Sequence, residues 1–158
     1  MKEYKDYIVD EKTLIIKPLK DLQYQSIIYT TEGIIKSRKT PLEIIKDSCM
    51  AYYSNYDGRR QATIKQTKYR YKVPIIISKL FNIYVFPTNS PRLFHTKWIF
   101  VNNLAHIIHI NQHKSKILFK DGRSIIVNVS SHVLNTQVTR TYALMHMVHM
   151  LKEGAKQQ

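Results

Sequence analysis

Short isoleucine-rich runs, cut every few residues by turn signals, constrain this chain more than any other feature. LIIKP, SIIYT, GIIKS, IYVF, WIF, KILF and SIIVNV are each long enough for a strand and too short for a helix. Asp10-Glu11, Glu32-Gly33 and Asp121-Gly122 stand between neighbouring runs, and Asp-Gly is a hairpin signal because both turn positions tolerate positive φ. Strands are expected on both sides of Asp10-Glu11 within 7–18 and on both sides of Glu32-Gly33 within 26–37. Further strands are expected at 62–73, 82–86, 97–101, 104–110, 116–119 and 124–129.

Two stretches break this pattern. In TPLEIIKDSCMAYY, Thr40 suits an N-cap, Pro41 the first helical position, and Glu43 stands at capping-box spacing from Thr40. Leu42, Ile45, Cys49 and Tyr52 then share one helical face. In SSHVLNTQVTRTYALMHMVHML, Ser130 or Ser131 caps a face made of Leu134, Val138, Tyr142, Met145 and Val148. The expected fold class is α+β: mostly antiparallel β-strands and hairpins, with one short helix near residues 41–52 and a longer C-terminal helix near residues 131–151. The 4 Gly and 5 Pro form no linker and no repeat is visible, so residues 1–158 read as one domain.

Several function classes find no support. No apolar run approaches the roughly 18 residues of a membrane span, and MKEYKDY has no apolar signal core, so a cytoplasmic protein without a membrane partner is expected. One cysteine allows neither an intrachain disulfide nor a cysteine zinc site, and Cys49 reads as a buried thiol. His106 and His109 fall on opposite faces of an expected strand. His146 and His149 share a helical side, but no Asp or Glu lies between 122 and 152. No metal and no cofactor are expected. Without a phosphate-cradling glycine loop, a Gly-x-Ser-x-Gly or a catalytic cysteine motif, the chain does not read as an enzyme.

Charge is the positive signal. Lys plus Arg is 25 against 11 Asp plus Glu, a net charge of +14 that calls for a polyanion. Arg59, Arg60, Lys65, Lys68, Arg70 and Lys72 fall within fourteen residues that contain no acid. Read as a strand, this segment puts Lys68, Arg70 and Lys72 on one face, about 6.7 Å apart, with Tyr69, Tyr71 and Val73 on the other. Asp57-Gly58 reads as a turn that presents Arg59 and Arg60 at a tip, where arginine can probe a narrow minor groove. Arg92 and Lys97, in FPTNSPRLFHTKW, are further candidate DNA contacts, and Trp98 reads as core. Lys114, Lys116, Lys120 and Arg123 on hairpin tips read as solubilising charge or as further contacts, with the first slightly favoured.

These pieces carry a resemblance. PLEIIKDSCMAYYSNYDGRR, a following TK, a Pro-Ile strand, FPT.S.R, a Trp strand and F.DGRSI...VS.H....Q..RT resemble, in order and spacing, the ComK competence transcription factors of Gram-positive bacteria, over about residues 4–150. The resemblance implies a transcription activator of DNA-uptake genes that binds double-stranded DNA at A/T-rich promoter boxes, chiefly through the minor groove. It also implies a homo-oligomer on DNA, with RNA polymerase as a further partner. Arg59, Arg60, Thr63, Thr67, Lys68 and Lys72 match the family's basic segment. Phe86, Pro87, Thr88, Ser90, Arg92 and Trp98 match a second motif, and Gln137, Arg140 and Thr141 a third. The chain departs from the pattern after its last helix, where LKEGAKQQ stands in place of the longer tail linked to assembly and adaptor-directed proteolysis. This departure puts both adaptor control and multimer formation in doubt, and a shortened paralogue or a trimmed chain is expected.

Two rival readings remain. Tyr56, Tyr69 and Tyr71 beside bases suit stacking on single-stranded RNA. A short homologue also suits a modulator that pairs with a full-length partner through the apolar face of the last helix.

Overall fold

A central sheet covered on both faces organises the chain. The computed structural model describes residues 2–3 and 6–157, with side chains from 6 to 151; Gln158, and the side chains of the rest of LKEGAKQQ after Leu151, lie outside the described residues. The strands are β1 (Lys2–Glu3), β2 (Thr13–Pro18), β3 (Ser26–Thr30), β4 (Gly33–Ser37), β5 (Ile75–Ser78), β6 (Ile83–Pro87), β7 (Trp98–Phe100), β8 (Leu104–Asn111), β9 (Lys114–Phe119) and β10 (Ser124–Val127). The helices are α1 (Pro41–Ala51), α2 (Tyr56–Thr67) and α3 (Ser131–Gln157). The central sheet has the order β1-β4-β3-β2-β7-β6-β5, and a second sheet has the order β10-β9-β8. All pairings are antiparallel except β1 with β4. The α+β expectation holds.

The core is double. On one face of the central sheet, Ile16, Ile28, Ile75, Ile77, Trp98 and Phe100 pack with Ile44, Ile45 and Cys49 of α1 and Tyr56 of α2. On the other, Leu14, Ile15, Phe86 and Ile99 pack with Ile117, Phe119 and Val127 of the second sheet and with Leu134 and Leu144 of α3. Strands buried on both faces lose the apolar-polar alternation. This is why β5, β6 and β7 read IIIS, IYVFP and WIF, with every residue buried.

Local chemistry sets the ends of α1. Thr40 Oγ1 accepts the N–H of Glu43 at 3.2 Å, and Pro41 begins the helix. The Asp121-Gly122 turn also forms as expected: Gly122 takes φ +91° and its N–H bonds Phe119 O at 3.0 Å. No described helix is long and apolar enough to cross a membrane.

Three expectations need correction. Residues 62–73 are not a strand: residues 56–67 are α2, 68–72 are a loop, and β5 starts only at Ile75. The physical reason is a cap. Asn55 sits in extended conformation and its Oδ1 accepts the Gly58 N–H at 3.0 Å, while Asp57 lies in the first turn, where a carboxylate favours the helix dipole. Asp57-Gly58 is therefore helical and not a turn with Arg59 and Arg60 at its tip. Finally, residues 7–9 form no strand, so Asp10-Glu11 leads into β2 without joining two strands.

Burial isolates Cys49. It pushes the thiol from 9.0 up to about 11, against a smaller opposite pull from Arg59. Between those values the unfolded chain gives up its proton before the folded one does. Stability from this group is thus fully present below pH 9 and is lost as pH rises toward 11. Urea midpoints should fall across that window, and Cys49→Ala should remove that part of the slope; native protein should not react with a thiol reagent at pH 8. Asn55→Ala should cost about 1 kcal/mol in the same assay, with Asn55→Ser close to wild type.

Candidate nucleic-acid interface

The net charge is confined to one part of the chain. Residues 1–57 hold nine acids and nine bases, whereas residues 58–151 hold fourteen bases and a single acid, Asp121. Among the described residues the ion pairs are Lys12 with Glu32, Lys39 with Asp6 and Asp47, and Arg123 with Asp121. Arg59, Arg60, Lys65, Lys68, Arg70, Lys72, Arg92 and Lys97 have no acid partner there.

Register shows which of these residues come together. Pro87 pairs with Trp98, Trp98 with Ile16, Pro18 with Ser26, and Ile75 with Val85. The residues just outside those pairs therefore crowd one end of the central sheet: the 68–74 segment, the 88–97 loop and Lys17. Lys72 and Lys97 both lie at this end, on the segments that lead into β5 and β7, and Arg92 is on the 88–97 loop. Burial holds the Lys97 ammonium below its ordinary pKa, and the nearby positive Lys17 lowers it further. Arg92 itself is exposed, at the rim of an apolar pocket of about 240 Å³ formed with Leu42, Leu93 and Phe94.

The basic segment is split between a helix and a loop. Lys65 is exposed on α2. Arg59 and Arg60 are half-buried on the same helix, and Arg59 Nε is buried with no hydrogen-bond partner. The Arg59 charge opposes the rise that burial imposes on the Cys49 thiol and on the Tyr84 hydroxyl. Lys68 and Lys72 take φ of 67° and 48°, the left-handed region that favours glycine. Lys68 ends α2, its N–H bonding Ile64 O at 2.9 Å. Arg70 is exposed, and Tyr71 beside it is 80% exposed.

This loop is held from α3. Gln137, 1% exposed, donates from Nε2 to Lys72 O and to Pro87 O, both at 2.8 Å. Arg140 Nη1 donates to Gln137 Oε1 at 2.6 Å, and its guanidinium stands 4.2 Å from the centre of the Tyr69 ring. Thr141 Oγ1 bonds Gln137 O at 2.7 Å. The third motif, whose role could not be read from sequence, is thus a clamp that fixes the basic loop to the end of β6. The 88–97 loop is fixed similarly: Thr88 Oγ1 accepts the Lys97 N–H at 3.0 Å and donates to Asn89 Oδ1 at 2.8 Å. Among the described residues no three metal-ligating side chains gather.

The family model described as ComK protein matches residues 4–153. The chain belongs to the ComK family. A competence transcription factor of Bacillus subtilis (strain 168) is 28% identical over 142 residues, covering 85% of this chain and 71% of that protein. No solved structure matches. The sequence reading missed Lys17 and the ComK-motif clamp as parts of this end. The first depends on the pairing of β2 with β7, which no local signal gives. The second depends on contacts across 65 and 50 residues.

Gln137→Ala should cost about 3 kcal/mol in chemical denaturation, because two carbonyls lose their donor. Gln137→Glu should cost at least as much, since a carboxylate cannot donate to either carbonyl. In both variants, amide exchange should accelerate across residues 68–73 before it does in α1.

Proposed function

We propose that this ComK-family chain is a DNA-binding activator of competence genes that recognises A/T-rich boxes largely through the minor groove and works as a homo-oligomer on the promoter, with RNA polymerase as a further partner. The observation that carries the reading is the end of the central sheet from which two basic segments emerge, 68–74 with Lys68, Arg70 and Lys72 and 88–97 with Arg92 and Lys97, none of these with an acid partner among the described residues. Phosphates would replace the missing counter-charges, and each contact would release condensed cations from DNA. Lys65, Lys68, Lys72 and Lys97 hold backbone. Arg70 and Arg92, on loops, reach into the groove, where its width and negative potential are sensed. Arg59 and Arg60 flank the backbone from α2. In this reading the protein acts in the cytoplasm, at the nucleoid, and performs no catalysis.

The loop itself offers a test. Glycine relieves a left-handed residue of a cost on the order of 1 kcal/mol. Lys68→Gly should therefore match or exceed wild-type stability while its salt slope of DNA binding falls by about one. Fluorescence anisotropy on an A/T-box duplex and on a G·C-substituted duplex of equal length, from 50 to 300 mM salt, reads both affinity and slope. Tighter A/T binding at moderate salt supports the proposal. Equal binding to both duplexes, abolished by salt in both, rejects it. Stronger binding to single-stranded RNA, with Tyr71 as the stacking platform, would favour the RNA alternative.

A further inference from the structure

A second cationic feature lies beside the clamp. The tip of the β8–β9 hairpin, the start of α3, Lys72 and the beginning of the 88–97 loop enclose a cleft of about 350 Å³. Lys72 and Lys114 enter it from positions 42 residues apart in sequence, and His113 stands at its rim. No acid lines it. The only acid between Gly58 and Lys152, Asp121, is in the β9–β10 turn, at the other end of the second sheet and paired with Arg123. Two like charges are thus brought to one cleft without a counter-charge.

The neutral groups favour an anion as well. Thr88 Oγ1 accepts from Lys97, so its own proton goes to Asn89 Oδ1. That bond engages the amide oxygen and leaves Asn89 Nδ2 as an unused donor in the cleft. The amino end of the 27-residue α3 opens onto the same space, adding the positive end of its dipole. Gln137 holds the backbone at Lys72 through Lys72 O, so this side of the cleft is arranged before any ligand arrives.

The lining also argues about size. Small-molecule sites are mostly apolar and enclose most of their ligand. Here only Val129 and Val133 are apolar, and Lys114 and His113 lie on an exposed hairpin tip. Phosphate carried on a polymer suits such an open, polar cleft. We propose that this cleft seats backbone phosphate of duplex DNA on Lys72, Lys114 and the Asn89 amide, extending the footprint from the 68–72 loop to the β8–β9 hairpin tip. The inference rests on the DNA-binding reading and adds a contact surface to it. It also decides for Lys114 between the two roles that sequence alone leaves open, solubilising charge and further contact.

The test compares wild type, Lys114→Ala, Asn89→Ala and Lys120→Ala by anisotropy on one A/T-box duplex, from 50 to 300 mM salt. Lys120 is exposed in the β9–β10 turn and serves as the distant control. Lys114→Ala should weaken binding several-fold at 100 mM salt and lower the salt slope by about one. Asn89→Ala should weaken binding with the slope unchanged, and Lys120→Ala should behave as wild type. Thermal melts of all four proteins establish that the fold is kept. Tight wild-type binding with Lys114→Ala indistinguishable from it overturns the cleft alone. Failure of the wild type to bind duplex overturns the cleft and the DNA reading together. A third arm adds inorganic phosphate at constant ionic strength: competition that disappears in Lys114→Ala supports the cleft, because both anions then share it, whereas phosphate that binds wild type through Lys114 and leaves DNA affinity unchanged would make this a site for free phosphate and overturn the proposal.

Discussion

The basic end of the molecule depends on one buried amide. Gln137 has two N–H groups, and the two backbone carbonyls it meets belong to the loop before β5 and to the end of β6. Neither acceptor can be reached from a neighbouring residue in sequence, so the bond fixes tertiary placement directly. Its oxygen is occupied too, by Arg140, whose guanidinium covers Tyr69. A shorter amide would not span the gap, and a carboxylate would face two carbonyls with no proton to share. The segment from Lys68 to Val73 is thereby held in one conformation although it has no regular structure of its own.

That conformation is costly in two respects. Lys68 and Lys72 occupy left-handed backbone without being glycine, and the segment gathers cations without acids. Either feature alone is ordinary in a surface loop. Together, in five residues clamped by a buried side chain, they describe a segment whose charge and shape are kept at the expense of stability. Strain of this kind persists where the surrounding structure over-determines it, and it gathers at functional sites. The neutral first 57 residues and the two-sided core supply the stability that the segment lacks.

How much of this was legible in the sequence follows from the range of the physics involved. The caps of α1, the Asp121-Gly122 hairpin and the apolar face of α3 are local and were readable. The alternation over Thr67 to Val73 is also real, but its halves do different work: Thr67 ends a helix, Lys68 to Lys72 are loop, and Val73 is core. The signals for α2 were present in Asn55 and Asp57 but were hidden by a dipeptide that more often turns the chain. Strand β5 shows no period because both its faces are covered. For the site, the identity of the basic residues was legible and their arrangement was not. Lys97 and Lys72 come to the same end of the sheet only through register and the Gln137 bond.

The helical state of α2 changes what its arginines can do in the DNA reading. A tip can slide into a minor groove roughly 6 Å wide, whereas a helix with side chains is about 10–12 Å across and cannot. Arg59 is further restrained, with Nε buried and its charge opposing the rise that burial imposes on Cys49 and Tyr84. It cannot act as a mobile probe without leaving that position. The loop after α2 has the opposite character: Arg70 is exposed, with left-handed lysines two residues to either side. Steric width therefore assigns the groove to the loop and the flanking phosphates to the helix. If the chain reads DNA as proposed, shape recognition would depend on the clamp that fixes the loop more than on the arginine pair that stands out in the sequence.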